Sequence, residues 1–120
     1  MSPNIWFYGA FGLLVISGAL HLVIDILMPL LRSAAFSLDT QANFIGMHAF
    51  YAVSIMGLGL INLYLLKTLP AIFNDAVVIG IYIGIGTLYL MGAVMFLGVK
   101  PPVVTMLLFL VLTALGRLLA

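Results

Sequence analysis

Three side chains of this sequence can bind a metal ion or carry a proton within apolar surroundings: His21, Asp25 and His48. His21 and Asp25 are four residues apart, so they share one face of a helix. His48 lies about six residues, or about 9 Å, into the next apolar run. Since two runs joined by a short loop cross a bundle in opposite directions, His48 starts from the same side as Asp25. We therefore predict that the three side chains meet.

Several chemistries fit this group. Two imidazoles and a carboxylate are ligands for iron, copper or zinc, and two imidazoles can ligate a haem. Asp25 can instead carry a transported proton beside His21. The structural alternative is that Asp25 and His21 satisfy each other, while His48 hydrogen-bonds a neighbouring helix or a lipid headgroup. Because ionisable residues within membrane spans tend to mark function, we treat His21, Asp25 and His48 as candidate metal ligands, alongside the haem, proton-carrier and structural alternatives.

Methionines offer further ligands, since thioethers combined with imidazoles suit Cu(I). Ordinary packing is the alternative, because the sequence has no Met-x-Met or Met-x-x-Met cluster. Five methionines fall toward the same side as the histidines: Met28, Met47, Met91, Met95 and Met106.

The segments that position these residues are predicted from the apolar composition of the chain. Of 120 residues, 66% are hydrophobic and 6% charged, against about half and about a quarter in soluble domains. The mean hydropathy is +1.38, so too few polar residues remain to coat a soluble fold. The net charge of +1 is too small for the basic surface that a nucleic-acid-binding protein presents. The absence of cysteine excludes disulfides and thiolate metal sites.

Four apolar runs meet or approach the ~20 residues needed to cross ~30 Å of hydrocarbon. We expect helices, because isolated strands would leave backbone groups unpaired in lipid. The short loops predict an all-α, integral membrane four-helix bundle with up-down-up-down packing. One transmembrane domain is predicted over residues 1–120, with spans at about 5–31, 44–66, 76–99 and 103–119.

Turn and cap residues predict the ends of these helices. Pro29 is expected to kink or end the first helix. Asn74 or Asp75 makes a suitable N-cap for the third. Pro101 and Pro102 predict a tight turn before the fourth. Aromatic residues open the first run, where they predict an interfacial belt: Trp6, Phe7 and Tyr8.

The third helix presents two faces suited to packing. Gly80 and Gly84 form a small-xxx-small pair, which permits close approach of another helix. Tyr82 and Gly86 lie on a different face. Two such faces fit internal packing plus contact with a partner, and packing within the bundle alone is the alternative.

In size and four-span layout the chain resembles the small multidrug-type transporters in outline. Those transporters carry a membrane-embedded Glu in the first helix, and Asp25 is the corresponding carboxylate here. Asp25 lies much nearer the helix end, and its neighbours do not follow the transporter pattern, so the likeness covers architecture alone. Proton-coupled transport by a homodimer, with Asp25 as the carrier, is retained as one hypothesis.

The leading hypothesis is an accessory or structural subunit of a larger membrane complex of a redox or energy-converting kind. The chain has no segment for a soluble catalytic domain and no Lys/Arg bias between its two sides. The alternatives are the transporter and an intramembrane metal- or haem-binding protein. We predict no catalytic residues and no catalytic activity of its own. The expected partners are the lipid bilayer and either other membrane subunits or further copies of the chain, in a prokaryotic plasma membrane, with no nucleic acid.

Overall fold

The computed structural model describes residues 4–28, 38–97 and 100–119, and within these ranges the chain is all-helical without a strand. A 3₁₀ turn over Pro70–Asn74 connects the second and third helices, and π-helical turns extend the first over Leu22–Leu27 and the third over Ala93–Leu97. The prediction of an all-α chain is confirmed. The four long helices are α1 (Asn4–His21), α2 (Leu38–Thr68), α3 (Ala76–Gly92) and α4 (Lys100–Leu118).

The described part of the chain holds four helices that are long and apolar enough to cross a membrane. Only 22 to 33% of the residues in their most apolar windows are buried inside the bundle, so most of their apolar surface faces outward. These features fit a small multi-pass membrane protein. The candidate spans are Ile5–Leu27, Asn43–Thr68, Ala76–Met95 and Lys100–Leu118.

The ends of the helices follow capping chemistry, with one correction to the sequence predictions. Asp75 caps α3, because its Oδ1 accepts hydrogen bonds from the backbone N–H groups of Val77 at 2.7 Å and Val78 at 3.4 Å. The predicted turn at Pro101 and Pro102 is wrong, since both residues lie in the first turn of α4. A first-turn N–H has no intrahelical partner, so proline loses nothing there. The predicted kink at Pro29 lies outside the described residues.

Helix α1 is the centre of the bundle, packing most extensively against α2 and also against α4. Glycines bring α1 and α2 together at two levels. A Cβ on Gly18 would lie 2.7 Å from the carbonyl oxygen of Ala52, and one on Gly59 would lie 2.7 Å from that of Phe11. Because the early part of each helix meets the later part of the other, α1 and α2 run in opposite directions.

An aromatic cluster fills the end of the bundle where α1 begins. Phe11 lies 5.3 Å from Tyr82 and 5.4 Å from Phe73 between ring centroids, and Phe73 comes from the 3₁₀ turn. Phe7 is 1% exposed and packs 5.4 Å from Phe73. The expectation that Phe7 belongs to an interfacial belt is therefore wrong, because this ring fills the core. Tyr8 remains exposed.

The two faces of α3 have different surroundings. Tyr82 and Gly86 are buried, and a Cβ on Gly86 would lie 2.9 Å from Phe109 of α4. Gly80 and Gly84 are exposed, and a Cβ on either would meet nothing within 4 Å among the described atoms. The close internal packing of α3 thus uses the Tyr82 face, and the Gly80 and Gly84 pair faces outward.

Candidate functional site

The three predicted site residues come together at the end of α1. His21 is the last residue of α1, Asp25 lies in the π-helical turn that follows, and His48 faces them from α2. One ligand atom from each side chain lies within 4.8 Å of the others. The sequence prediction that these side chains meet is therefore confirmed.

The side chains form a hydrogen-bonded line. His21 Nδ1 lies 2.5 Å from Asp25 Oδ2, and His21 Nε2 lies 3.1 Å from His48 Nδ1. An ionised carboxylate only accepts hydrogen bonds, so Nδ1 of a neutral His21 carries the proton and its Nε2 is an acceptor. His48 then donates from Nδ1. This order gives each of the two contacts one donor and one acceptor without an extra charge.

Aromatic neighbours fix both imidazoles. The ring of Phe44 stacks on His48 at 4.0 Å between centroids, and Tyr51 meets His21 edge-on at 5.4 Å. His21 is 7% exposed and His48 is 3% exposed. The site is therefore held between α1 and α2 with little access from the outside on that side. Restricting both rings in this way is the kind of support that keeps a binding constellation in one geometry.

A groove of about 340 Å³ opens on the other side of α1, between α1 and α4. Leu13, Ile16 and Leu20 form its apolar wall, and His21 and Asp25 close one end. The Asp25 side chain remains 31% exposed, so it borders both the histidine pair and the groove.

Two hydroxyl groups link α1 to α4 across this groove. Ser17 Oγ lies 2.9 Å from Thr105 Oγ1, which also bonds the carbonyl oxygen of Pro101 at 3.0 Å. Ser17 precedes His21 by four residues and therefore lies on the same face of α1. Sequence reasoning did not single out Thr105 or the supporting aromatics Phe44 and Tyr51, because contacts between distant parts of the chain leave no local pattern.

The methionines do not join the site in the described residues. Met106 is buried in the hydrophobic core, while Met28, Met47, Met91 and Met95 are exposed. None of them lines the groove beside His21. A soft Cu(I) site built from thioethers therefore has no support in this geometry.

A second polar contact in the interior lies too far away to belong to the same site. Tyr82 donates a hydrogen bond to Asn62 Oδ1 between α3 and α2. Fourteen positions separate Asn62 from His48 on α2, which is about 21 Å at 1.5 Å per residue. Between them Ile55 is fully buried, as is Phe11 on α1. An apolar zone therefore separates the Tyr82–Asn62 contact from the histidine pair.

The arrangement can bind a cation between the imidazoles or pass a proton along the line from Asp25 to His48. Among the described residues it offers no nucleophile beside a base. No family model matches this chain, and neither a curated protein nor a solved structure matches it.

Proposed function

We propose that this chain is a membrane protein that binds one divalent transition-metal ion between His21 and His48. The observation that carries the proposal is the 3.1 Å separation of His21 Nε2 and His48 Nδ1. Two nitrogens at 2.0–2.1 Å from a tetrahedral metal ion lie about 3.3 Å apart. The two donors thus already have the separation that chelation needs, and the ion takes the place of the shared proton.

In this proposal Asp25 orients the imidazole of His21 and does not bind the ion itself. Its bond to Nδ1 is the carboxylate–histidine contact that fixes ring orientation and raises ligand basicity in many metal sites. The other nitrogen of the same ring is then free for the ion. As a direct ligand, Asp25 would have to leave His21, so the geometry favours the orienting role. Water or another small ligand completes the coordination.

The donor set narrows the choice of ion. Imidazoles suit zinc, copper, iron and nickel, and neither cysteine nor methionine contributes here. The 3.1 Å separation of the two nitrogens favours a single ion over a haem between these histidines. Separating the rings enough for a macrocycle would separate α1 from α2, which touch closely at Gly18.

Membrane insertion and up-down-up-down packing are part of the proposal. Four candidate spans support insertion, as do the many large apolar side chains on the outside of the bundle. The opposite directions of α1 and α2 support the alternating topology. We expect the protein to remain in the membrane fraction after alkaline carbonate washing, and release into the soluble fraction would contradict insertion.

Metal titration of the purified protein, after chelator treatment, tests the proposed site. We expect one Zn²⁺ or Co²⁺ ion per chain, with binding lost in His21→Ala and His48→Ala. Asp25→Asn should weaken affinity about 10- to 100-fold, as for other residues that orient a ligand. Asp75→Asn is the matched control, because it removes a distant carboxylate and keeps a good cap. Unchanged affinity in both histidine variants would refute the proposal.

A second candidate function, an accessory subunit of a larger complex, is favoured by the outward face of α3. Gly80 and Gly84 meet no neighbour among the described residues, and small residues of this kind let another helix approach closely. Purification in mild detergent tests it: larger subunits should co-purify, and Gly84→Leu should release them. A monodisperse small oligomer without other subunits would count against it.

The third hypothesis, a proton-coupled homodimer, has less support. The apolar zone formed by residues such as Ile55 and Phe11 separates the Asp25 site from the far end of the bundle. Proton uptake by liposomes that contain wild-type or Asp25→Asn protein is the measurement that decides this question.

A further inference from the structure

We infer that the groove between α1 and α4 binds an amine-headed lipid of the bilayer, with its ammonium group on Asp25 and one acyl chain along α1. This site shares His21 and Asp25 with the metal site but lies on another side of α1. The histidine nitrogens meet between α1 and α2, whereas the groove lies between α1 and α4. The inference therefore does not depend on the proposed function.

The shape of the groove fits an acyl chain. Its wall on α1 extends from Leu13 to Asp25, a length of about 18 Å at 1.5 Å per residue. The volume of about 340 Å³ falls within the range of small-molecule sites. Because the groove follows the helix, a chain in it lies parallel to a membrane-spanning helix, as the surrounding lipid chains do.

The polarity of the groove sets the direction of the ligand. Leu13 and Ile16 form the end nearer the middle of α1, while Asp25 lies at the other end, beyond the last α-helical residue. An amphiphile therefore has its apolar chain beside Leu13 and its head beside Asp25. The same order places the head toward the surface of the membrane.

Charge complementarity sets the type of headgroup. Asp25 is the acidic residue of the lining, which contains no Lys or Arg among the described residues. One carboxylate oxygen bonds His21, and the 31% exposure of the side chain leaves it room for a second partner. An ammonium group supplies the donors and the positive charge that a carboxylate in apolar surroundings lacks.

A second groove serves as an internal control. It lies between α2 and α3, has a volume of about 500 Å³, and is lined by residues such as Val53, Ile61 and Leu88. Among the described residues, no charged side chain lines it. A ligand held by its chain alone should enter this groove as readily, whereas a ligand selected by Asp25 should not.

Photolabelling with two probes tests the inference. Both carry the same diazirine-bearing alkyl chain, and one ends in a primary ammonium group while the other ends in a hydroxyl group. Protein is labelled in a neutral detergent with chelator, and the labelled residues are mapped by mass spectrometry. We expect the ammonium probe to half-saturate the α1–α4 groove at about a tenfold lower concentration, the effect of one charge-assisted hydrogen bond. Both probes should label the α2–α3 groove equally.

Two pairs of variants complete the test. Asp25→Asn should remove the preference for the ammonium probe, and Asp75→Asn should keep it. Leu13→Trp should block labelling of the α1–α4 groove, while Ile85→Trp should block only the α2–α3 groove. Equal half-saturation by both probes on the wild type would overturn the inference, and so would a preference that survives in Asp25→Asn. If Asp25→Asn does not fold, the comparison of the two probes on the wild type still decides.

Discussion

The close contact of α1 with α2 at Gly18 makes a quantitative prediction for Gly18→Ala. The added Cβ would lie 2.7 Å from the backbone oxygen of Ala52 and 2.8 Å from the Cβ of Met56. Neither atom is at the end of a flexible side chain. The helices themselves must therefore move apart to accept one methyl group.

The size of that movement follows from the contact distances. Ordinary van der Waals contact begins at 3.4 Å, so the helices separate by about 0.7 Å near Gly18. Overpacking of this kind costs about 1–3 kcal/mol of the free energy of unfolding. His21 lies one turn further along α1, so its Nε2 moves from 3.1 Å to about 3.8 Å from His48 Nδ1. That separation exceeds the distance of about 3.3 Å between two nitrogens bound to one tetrahedral metal ion. We therefore expect at least a tenfold loss of metal affinity.

Unfolding in mixed micelles measures how much Gly18→Ala lowers the free energy of unfolding. Trp6 is the single tryptophan of the chain, and its indole N–H is buried, so its fluorescence reports loss of packing during titration with SDS. Gly12→Ala is the matched control, because its Cβ meets nothing within 4 Å. Alanine favours helix, so this control should be neutral or stabilising by up to about 1 kcal/mol.

Gly59→Ala tests whether the loss of stability and the loss of metal affinity are separate effects. Its Cβ would lie 2.7 Å from the oxygen of Phe11, so it should destabilise the bundle about as much as Gly18→Ala. It acts far from the histidine pair, and metal affinity should change less. If Gly18→Ala unfolds like Gly12→Ala, the reasoning from the α1–α2 contact is refuted.

Three further predictions concern individual groups. Tyr82→Phe leaves the buried Asn62 Oδ1 without its donor and should lower the free energy of unfolding by about 0.5–2 kcal/mol; the exposed Tyr64→Phe should not, and equal effects would contradict this role. Asp75→Ala should lower the free energy of unfolding by about 1 kcal/mol through loss of the N-cap, whereas Asp75→Asn should preserve the cap and leave this free energy unchanged. Metal affinity should fall as the pH is lowered, because the two imidazoles must be unprotonated to bind; titrations that do not vary with pH would exclude them as ligands.

Much of the site could be predicted from the sequence because its geometry is local. The four-residue spacing of His21 and Asp25 is a property of one helix, and the depth of His48 follows from loop length and helix rise. The face of α2 that continues from His48 was also readable from helical periodicity. Ala52, Ile55 and Asn62 lie on it, and all are buried.

The rest depends on how distant segments pack. Phe7 looked interfacial because it stands between Trp6 and Tyr8, and only the docking of Phe73 from the 3₁₀ turn shows that it is buried. Gly80 and Gly84 form the conspicuous glycine pair, yet Gly86 makes the close contact of α3 with α4. Which face of an all-apolar helix turns inward cannot be read from polarity, because lipid and core accept the same side chains.

The position of the histidine site within the chain has a consequence for biogenesis. All three of its polar side chains, together with Tyr51, belong to α1, its π-helical turn and the first half of α2. When the chain is inserted from its amino terminus, every proposed ligand residue has therefore been synthesised before α3 and α4 emerge. The groove beside Asp25 is complete only when α4 packs on the other side of α1. Metal uptake and lipid capture would thus belong to different stages of assembly, in that order.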